Sequence, residues 1–156
     1  MTGETGEPGE VVIRSAEERD VGTLAGLLGE LGYPISEADM SNRLAFVASS
    51  PNDELFIAEL DGLVVGFVAL RTMEFVHRVA RYGQITAMCV SGKHRRRGVG
   101  SRLVEHVEAL LRQRGIIDMQ VYTGVYRKDE AHEFYRAIGY EATGVRFVKR
   151  MTAGGV

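Results

Sequence analysis

Apolar residues fall into short blocks along this chain, and their spacing switches between two residues and about 3.6, the periods of strand and helix. Val11-Val12-Ile13-Arg14 predicts a short strand. Asp20 is placed to cap a helix whose apolar positions are Val21, Leu24, Leu27, Leu28 and Leu31, with Gly32 as its stop. Tyr33-Pro34 turns the chain, and Ser36-Glu37-Ala38-Asp39 resembles a capping box opening a second helix to about Ala48. Leu55-Phe56-Ile57-Ala58 reads as a strand, and Asp61-Gly62 is a strong hairpin signal joining it to Leu63–Leu70, with a continuation through Glu74 left open. Gln84 to Val90 is mostly apolar and predicts a central strand. A helix comes next, from about Gly98 to Arg114, with Val99, Leu103, Val107, Leu110 and Leu111 on one side and Gly115 as its left-handed cap. Ile116–Tyr122 predicts a strand, Glu130–Ala137 a short helix stopped near Gly139, and Phe147-Val148-Lys149 a last strand.

A helix between two strands of one sheet returns the chain to the same end, so the strands around Gly98–Arg114 must be parallel. The earlier hairpin is antiparallel. The expected fold is therefore α/β in the α+β sense: a mixed, mostly antiparallel central sheet with helices on both faces.

Length and charge narrow the function. The 156 residues suit one domain, taken as 11–151, with tails at 1–10 and 152–156 expected to be disordered. A net charge of −2 argues against a general nucleic-acid binder. Cys89 is the one cysteine, so no intramolecular disulfide forms, and with four histidines it makes no zinc spacing. No metal is expected. No apolar run approaches the ~20 residues of a membrane span, and no signal peptide is visible. These features predict a cytoplasmic protein without nucleic-acid or membrane partners.

The chemistry concentrates in Val90-Ser91-Gly92-Lys93-His94-Arg95-Arg96-Arg97-Gly98-Val99-Gly100-Ser101. A strand ends, a basic glycine-containing loop comes next, and a helix begins. Helix starts carry unpaired N–H groups and partial positive charge. Gly98 and Gly100 let an anion approach the backbone, and arginines add charge-assisted bonds to phosphate oxygens. The run lacks the Lys-Ser/Thr of a P-loop and the third glycine of a dinucleotide fingerprint. A solvated basic turn merely shaped by its glycines is the competing reading; the flanking strand and apolar helix favour the anion site.

Arg95-x-x-Gly98-x-Gly100, with Phe134-Tyr135-Arg136-Ala137-Ile138-Gly139-Tyr140 further on, resembles the two signatures of the GNAT acetyltransferases, [QR]-x-x-G-x-[GA] and F-Y-x-x-x-G-[FY]. The resemblance extends over Val11–Met151. It implies acetyl-CoA as cosubstrate and N-acetyl transfer to a primary amine by direct attack in a ternary complex. By similarity, the backbone at Met88, Cys89 and Val90 pairs with the pantetheine arm as an added strand, which requires this strand to splay from Ile116–Tyr122. Met88 and Val90 share one face and Cys89 takes the other. The amides from Arg96 through Arg97, Gly98, Val99 and Gly100 to Ser101 would hold the pyrophosphate, beside Arg95.

Acyl transfer to an amine needs a neutral amine, donors for the developing oxyanion and a proton for the departing thiolate. Tyr135 matches the superfamily's frequent general acid; a tyrosine that only packs its helix is the plainer alternative. Tyr140 falls at a core position. Gln84 stands where some members place a glutamate base and cannot take that role, which leaves Glu74, His77 or a water chain. Lys128 replaces the Asn of many members, and Arg127 precedes it; either cation could meet the cofactor or simply face solvent. His132 lies one helical turn from Tyr135 and is not assigned to catalysis. Cys89 could relay the acetyl group, but a small buried apolar role fits a strand cysteine better. Glu30, Tyr33 and Glu74 are candidates to line the acceptor groove. The acceptor could be a small amine, an aminoglycoside-like compound, an amino acid, or a protein N-terminus or lysine. A non-catalytic acyl-CoA-binding regulatory module is the alternative function. Arg146-Phe147-Val148-Lys149-Arg150 could supply the edge of a homodimer.

Overall fold

The computed structural model describes residues 9–123 and 128–152. Among the described residues the strands and α-helices run in the order β1 (Val11–Ser15), α1 (Val21–Leu31), α2 (Glu37–Ser49), β2 (Asp53–Leu60), β3 (Leu63–Phe75), β4 (Arg78–Val90), α3 (Val99–Gln113), β5 (Met119–Val121) and α4 (Glu133–Ala137). They divide into two units, one ending at Tyr122 and one starting at Thr123.

In the first unit the strands form one mixed sheet in the order β1-β2-β3-β4-β5. All neighbours are antiparallel except β4 and β5, which run parallel across the α3 crossover. Asp61 and Gly62 both take positive φ, 52° and 80°, the backbone a two-residue turn needs to match strand twist. Leu60 accordingly pairs with Leu63.

The two sheet faces are covered differently. Leu55, Ile57, Phe67 and Cys89 form one cluster with Val21, Leu24 and Leu27 of α1 and Met40 and Leu44 of α2. On the other face α3 lays down Val99, Leu103, Val104, Val107 and Leu111, all buried. Leu110 is only half-buried and Val104 takes its place in the stripe. Gly66 permits this packing: a Cβ there would stand 2.9 Å from the Cys89 carbonyl oxygen and 3.4 Å from side-chain atoms of both Leu103 and Val99.

Two expectations at helix starts separate. Ser36 caps α2 as predicted, its hydroxyl accepting from the Asp39 amide at 3.0 Å. Asp20 does not cap α1 with its side chain. Its buried carboxylate instead accepts from the Glu17 amide and from both terminal nitrogens of Arg14. Burial alone would push this carboxyl up; the Arg14 and Glu17 hydrogen bonds and the nearby positive charge outweigh that and hold it below its ordinary value. An arginine six residues upstream competed successfully for the oxygens that a cap would use.

The hairpin of β3 and β4 is longer than predicted. Phe75 pairs with Arg78 around Val76-His77, and Phe75 stacks on Tyr82 at 5.0 Å. Conversely, the strand predicted over Ile116–Tyr122 shrinks to Met119–Val121, because Ile116 is spent closing α3 through its amide bond to the Leu111 carbonyl.

In the second unit a π-helical turn over Lys128–His132 runs into α4. The strand expected at Phe147-Val148-Lys149 is absent: no strand is assigned from 138 to 152. Phe147 is 93% exposed, and without a neighbouring strand the alternation there has nothing to pair with.

Candidate active site

The end of β4 and the start of α3 build the site. The register of β4 on β3 passes from Leu70↔Ile85 to Ala69↔Ala87, leaving Thr86 as an extra residue. Such a bulge bends its strand and re-aims the side chains beyond it. Thr86 secures it by donating its hydroxyl to the Ala69 carbonyl at 3.3 Å. Past the bulge, β4 stays in register with β3 from Ala87 to Val90, whereas its register with β5 ends at Ile85↔Val121. In that register the residues facing Met88, Cys89 and Val90 would be 124–126, so the expected splay lies outside the described residues. Phe67 faces Cys89 across the ladder and Val68 faces Met88, so Cys89 enters the α1–α2 core while Met88 and Val90 lie on the α3 side, half-buried.

Past Val90 the backbone coils into a short 3-10 turn over Gly92–His94. The Ser91 amide donates to the Val65 carbonyl at 2.7 Å, and the His94 amide donates to the Ser91 carbonyl at 2.9 Å. Arg96 then takes a φ of 64°, unusual for a residue with a Cβ. Gly98 at φ 76° precedes the first helical residue, Val99, and its carbonyl accepts from the Arg102 amide. A side chain at Gly98 would be strained whatever space surrounds it. The positive φ angles at Arg96 and Gly98 turn the backbone just ahead of a helix start, whose unpaired amides attract anions. Arg95, Arg96, Arg97 and Gly98 are exposed, while Val99 is buried and fixes the helix start on the sheet. Gly100 and Ser101 complete the first turn of α3.

These residues fit the diphosphate and pantetheine of a coenzyme A. A helix N-terminus, a left-handed glycine and three exposed arginines meet an anion's requirements. The extended backbone at the end of β4 meets those of an amide-bearing arm that pairs like a strand.

The other predicted residues are distributed unevenly. Glu30, in the last turn of α1, reaches the loop itself: its Oε1 accepts from the Gly92 amide at 3.1 Å. Tyr33 comes just after the α1 cap and is 63% exposed. Glu74 is exposed near the far end of the hairpin, beside the Met73↔Tyr82 pair. Tyr82 lies eight residues from Val90 along β4, which at the rise of a strand is roughly 25 Å. The structure therefore does not bring Glu74 together with Glu30. His77 sits at the hairpin turn against Phe75. Gln84 pairs in register with Arg71 and Gln120, just before the bulge.

Tyr135 belongs to the second unit. Its half-buried ring meets Phe134 edge-on at 5.1 Å and Tyr140 at 5.7 Å, and its carbonyl accepts from the Tyr140 amide at 2.9 Å. The motif Phe134–Tyr140 is thus one folded piece that holds the tyrosine ring on two sides. His132 precedes it on the π-helical turn. Arg127 lies outside the described residues, and Lys128 is described only in its backbone.

Sequence reasoning missed three participants. Gly66, inside a strand pattern, carried a usable signal, since an isolated strand glycine marks a bulge or close approach. The Thr86 bulge and the Glu30–Gly92 bond had none, because each depends on pairing between segments distant in the chain.

Residues 22–140 match the family described as the acetyltransferase (GNAT) family. The aminoalkylphosphonate N-acetyltransferase of Salmonella typhimurium is 30% identical over 142 residues, which cover 89% of this chain and 90% of that protein. Among solved structures, a GNAT family acetyltransferase of Staphylococcus aureus superposes with a TM-score of 0.76 at 22% identity, over 90% of this chain and 98% of that one. An aminoglycoside N-acetyltransferase in complex with CoA superposes with a TM-score of 0.80 at 19% identity, over 91% and 95%. Matched in both its signature segments and across its fold, this chain belongs to the GNAT family and is an acetyltransferase.

Proposed function

We propose that the protein transfers an acetyl group from acetyl-CoA to a primary amine by direct attack within a ternary complex. The observation that carries this reading is the glycine-shaped, arginine-lined start of α3, entered directly from the end of β4. The amides from Arg96 to Ser101 hold the diphosphate, with Arg95, Arg96 and Arg97 adding charge. The backbone of Met88, Cys89 and Val90 takes the pantetheine arm. Acetyl-CoA supplies an activated thioester carbonyl. The protein's tasks are then to place the amine nitrogen against that carbonyl carbon, to accept the amine's proton through water, and to protonate the sulfur as its bond to carbon breaks. Tyr135 serves the last task. The Cys89 thiol takes no part in the transfer: that side chain is buried among residues of α1 and α2.

The acceptor enters beside the α1–α2 connection, where Tyr33 supplies an exposed aromatic surface. A small amine carrying an anionic or polar group fits best, since the relative that spans nearly the whole chain bears the name of an aminoalkylphosphonate N-acetyltransferase. Glu74, at the hairpin end, would meet only the remote part of a long acceptor.

Substitution of Gly100 by Val tests the cofactor site. A branched side chain in the first turn of α3 blocks approach to the amides, and CoA affinity should fall more than about tenfold, the scale of losing charge-assisted bonds. A folded Gly100→Val protein that binds CoA like the parent would refute the site. A panel of aminoalkylphosphonates, aminoglycosides, amino acids and peptides, read by release of free thiol, identifies the acceptor.

A further inference from the structure

Glu30 stands where a carboxylate is electrostatically unfavourable. It lies in the last turn of α1, which contains no basic residue and where the helix presents its negative end. That end is closed: Gly32 takes a φ of 100°, and the Gly32 and Tyr33 amides donate to the Gly29 and Leu28 carbonyls. The closure fixes where Glu30 projects. Its Oε1 accepts from the amide of Gly92, sixty-two residues away, at the first residue of the turn that opens the arginine loop. The preceding amide, that of Ser91, is held by the Val65 carbonyl on β3. Two consecutive amides are thus anchored by different elements, one by the sheet and one by α1.

We propose that Glu30 is a positioning residue: it ties the end of α1 to the start of the cofactor loop and so fixes the loop against the helix that leads to Tyr33. The inference rests on the reading of that loop as the CoA site. It gives Glu30 a different task from lining the acceptor groove, where its charge would attract a cationic amine. A charge-attracting role and a tying role make opposite demands. Attraction needs the negative charge. The tie needs only an oxygen acceptor at the right distance, and the charge itself opposes a nearby diphosphate.

Glu30→Ala and Glu30→Gln in the full chain separate the two. Glutamine keeps the acceptor and loses the charge. Titration calorimetry with CoA should show Glu30→Ala weakened about three- to fivefold, the size expected for one solvent-accessible charge-assisted bond. Glu30→Gln should bind as well as the parent or more tightly. Hydrogen exchange at the Gly92–Arg95 segment of the unliganded protein should quicken in Glu30→Ala and stay slow in Glu30→Gln, a readout independent of turnover. Three results overturn the proposal: unchanged exchange in Glu30→Ala, equal loss of CoA affinity in both variants, or a rise in acceptor KM shared by both with CoA affinity intact. Gly100→Val separates the two levels. If it leaves CoA affinity unchanged, the cofactor reading fails and this inference with it. If it abolishes binding while Glu30→Ala does not weaken it, this inference alone fails.

Discussion

Tyr135 is given the most demanding single role in the proposed reaction, and its surroundings limit how it can be tested. Phe134 and Tyr140 hold its ring edge-on, so the aromatic body contributes packing that any truncation would lose. Replacement by phenylalanine removes the hydroxyl and leaves those contacts. If the hydroxyl protonates the departing thiolate, Tyr135→Phe should lower kcat by about 10²–10⁴-fold, the range of general acid catalysis, or by somewhat less because a thiolate leaves readily. CoA affinity should remain within about twofold, since transition-state interactions need not contribute to ground-state binding. Pre-steady-state kinetics must first show that chemistry limits turnover. A loss below about threefold under that condition would assign the tyrosine to packing and leave the thiolate's proton to another donor.

The elements of the first unit were largely legible because their signals were local. Asp61-Gly62 takes the two positive φ angles a tight hairpin needs, Ser36 reaches the Asp39 amide, and the apolar stripe of α3 faces the sheet. Failures occurred where distant partners decided. The tip of the β3–β4 hairpin carries no turn residue at Val76-His77, and its pairing is visible only in the register of two strands. Asp20 sits at the helix boundary the sequence predicts but spends its oxygens on Arg14. The Thr86 bulge changes which side of β4 faces α3, an outcome no two-residue alternation can foresee. Within the site, the arginine-glycine loop was readable; the tie from Glu30 was not. The joining of β3 to α3 gives a prediction at the same level. Gly66→Ala forces a Cβ against the Cys89 carbonyl oxygen, a backbone atom that cannot rotate away, and against Leu103 and Val99. The tightest contact is with β4, so β3 and β4 must shift against each other at the end of β4 that leads to the proposed cofactor site. Stability should fall by about 1–3 kcal/mol, the usual cost of overpacking, and CoA affinity should fall with it. Thermal melting and calorimetry check both; a stable Gly66→Ala protein with parental affinity would show that the contact with the Cys89 carbonyl yields without cost.

Assembly turns on the chain after α4. From 138 to 152 no strand is assigned, yet Val145, Phe147, Val148 and Met151 are exposed at 82, 93, 72 and 80%. Burying a large apolar side chain is worth about 1.5–3 kcal/mol, so four in a seven-residue stretch create a strong demand for a cover. In extended form Val145, Phe147, Lys149 and Met151 would share one face, with Arg146, Val148 and Arg150 on the other. Charged neighbours of this kind discourage indiscriminate edge pairing while permitting one specific partner. A second copy of the chain is the simplest such partner, because twofold dimers dominate among soluble oligomers. Sedimentation at micromolar concentration should therefore give a species of twice the 17.2 kDa chain mass. Phe147→Glu removes the largest apolar side chain of that face and should return the protein to a monomer while leaving the proposed CoA binding unchanged. A single species at the chain mass for the unaltered protein would mean that these side chains are not covered by a second copy, and the dimer would be wrong.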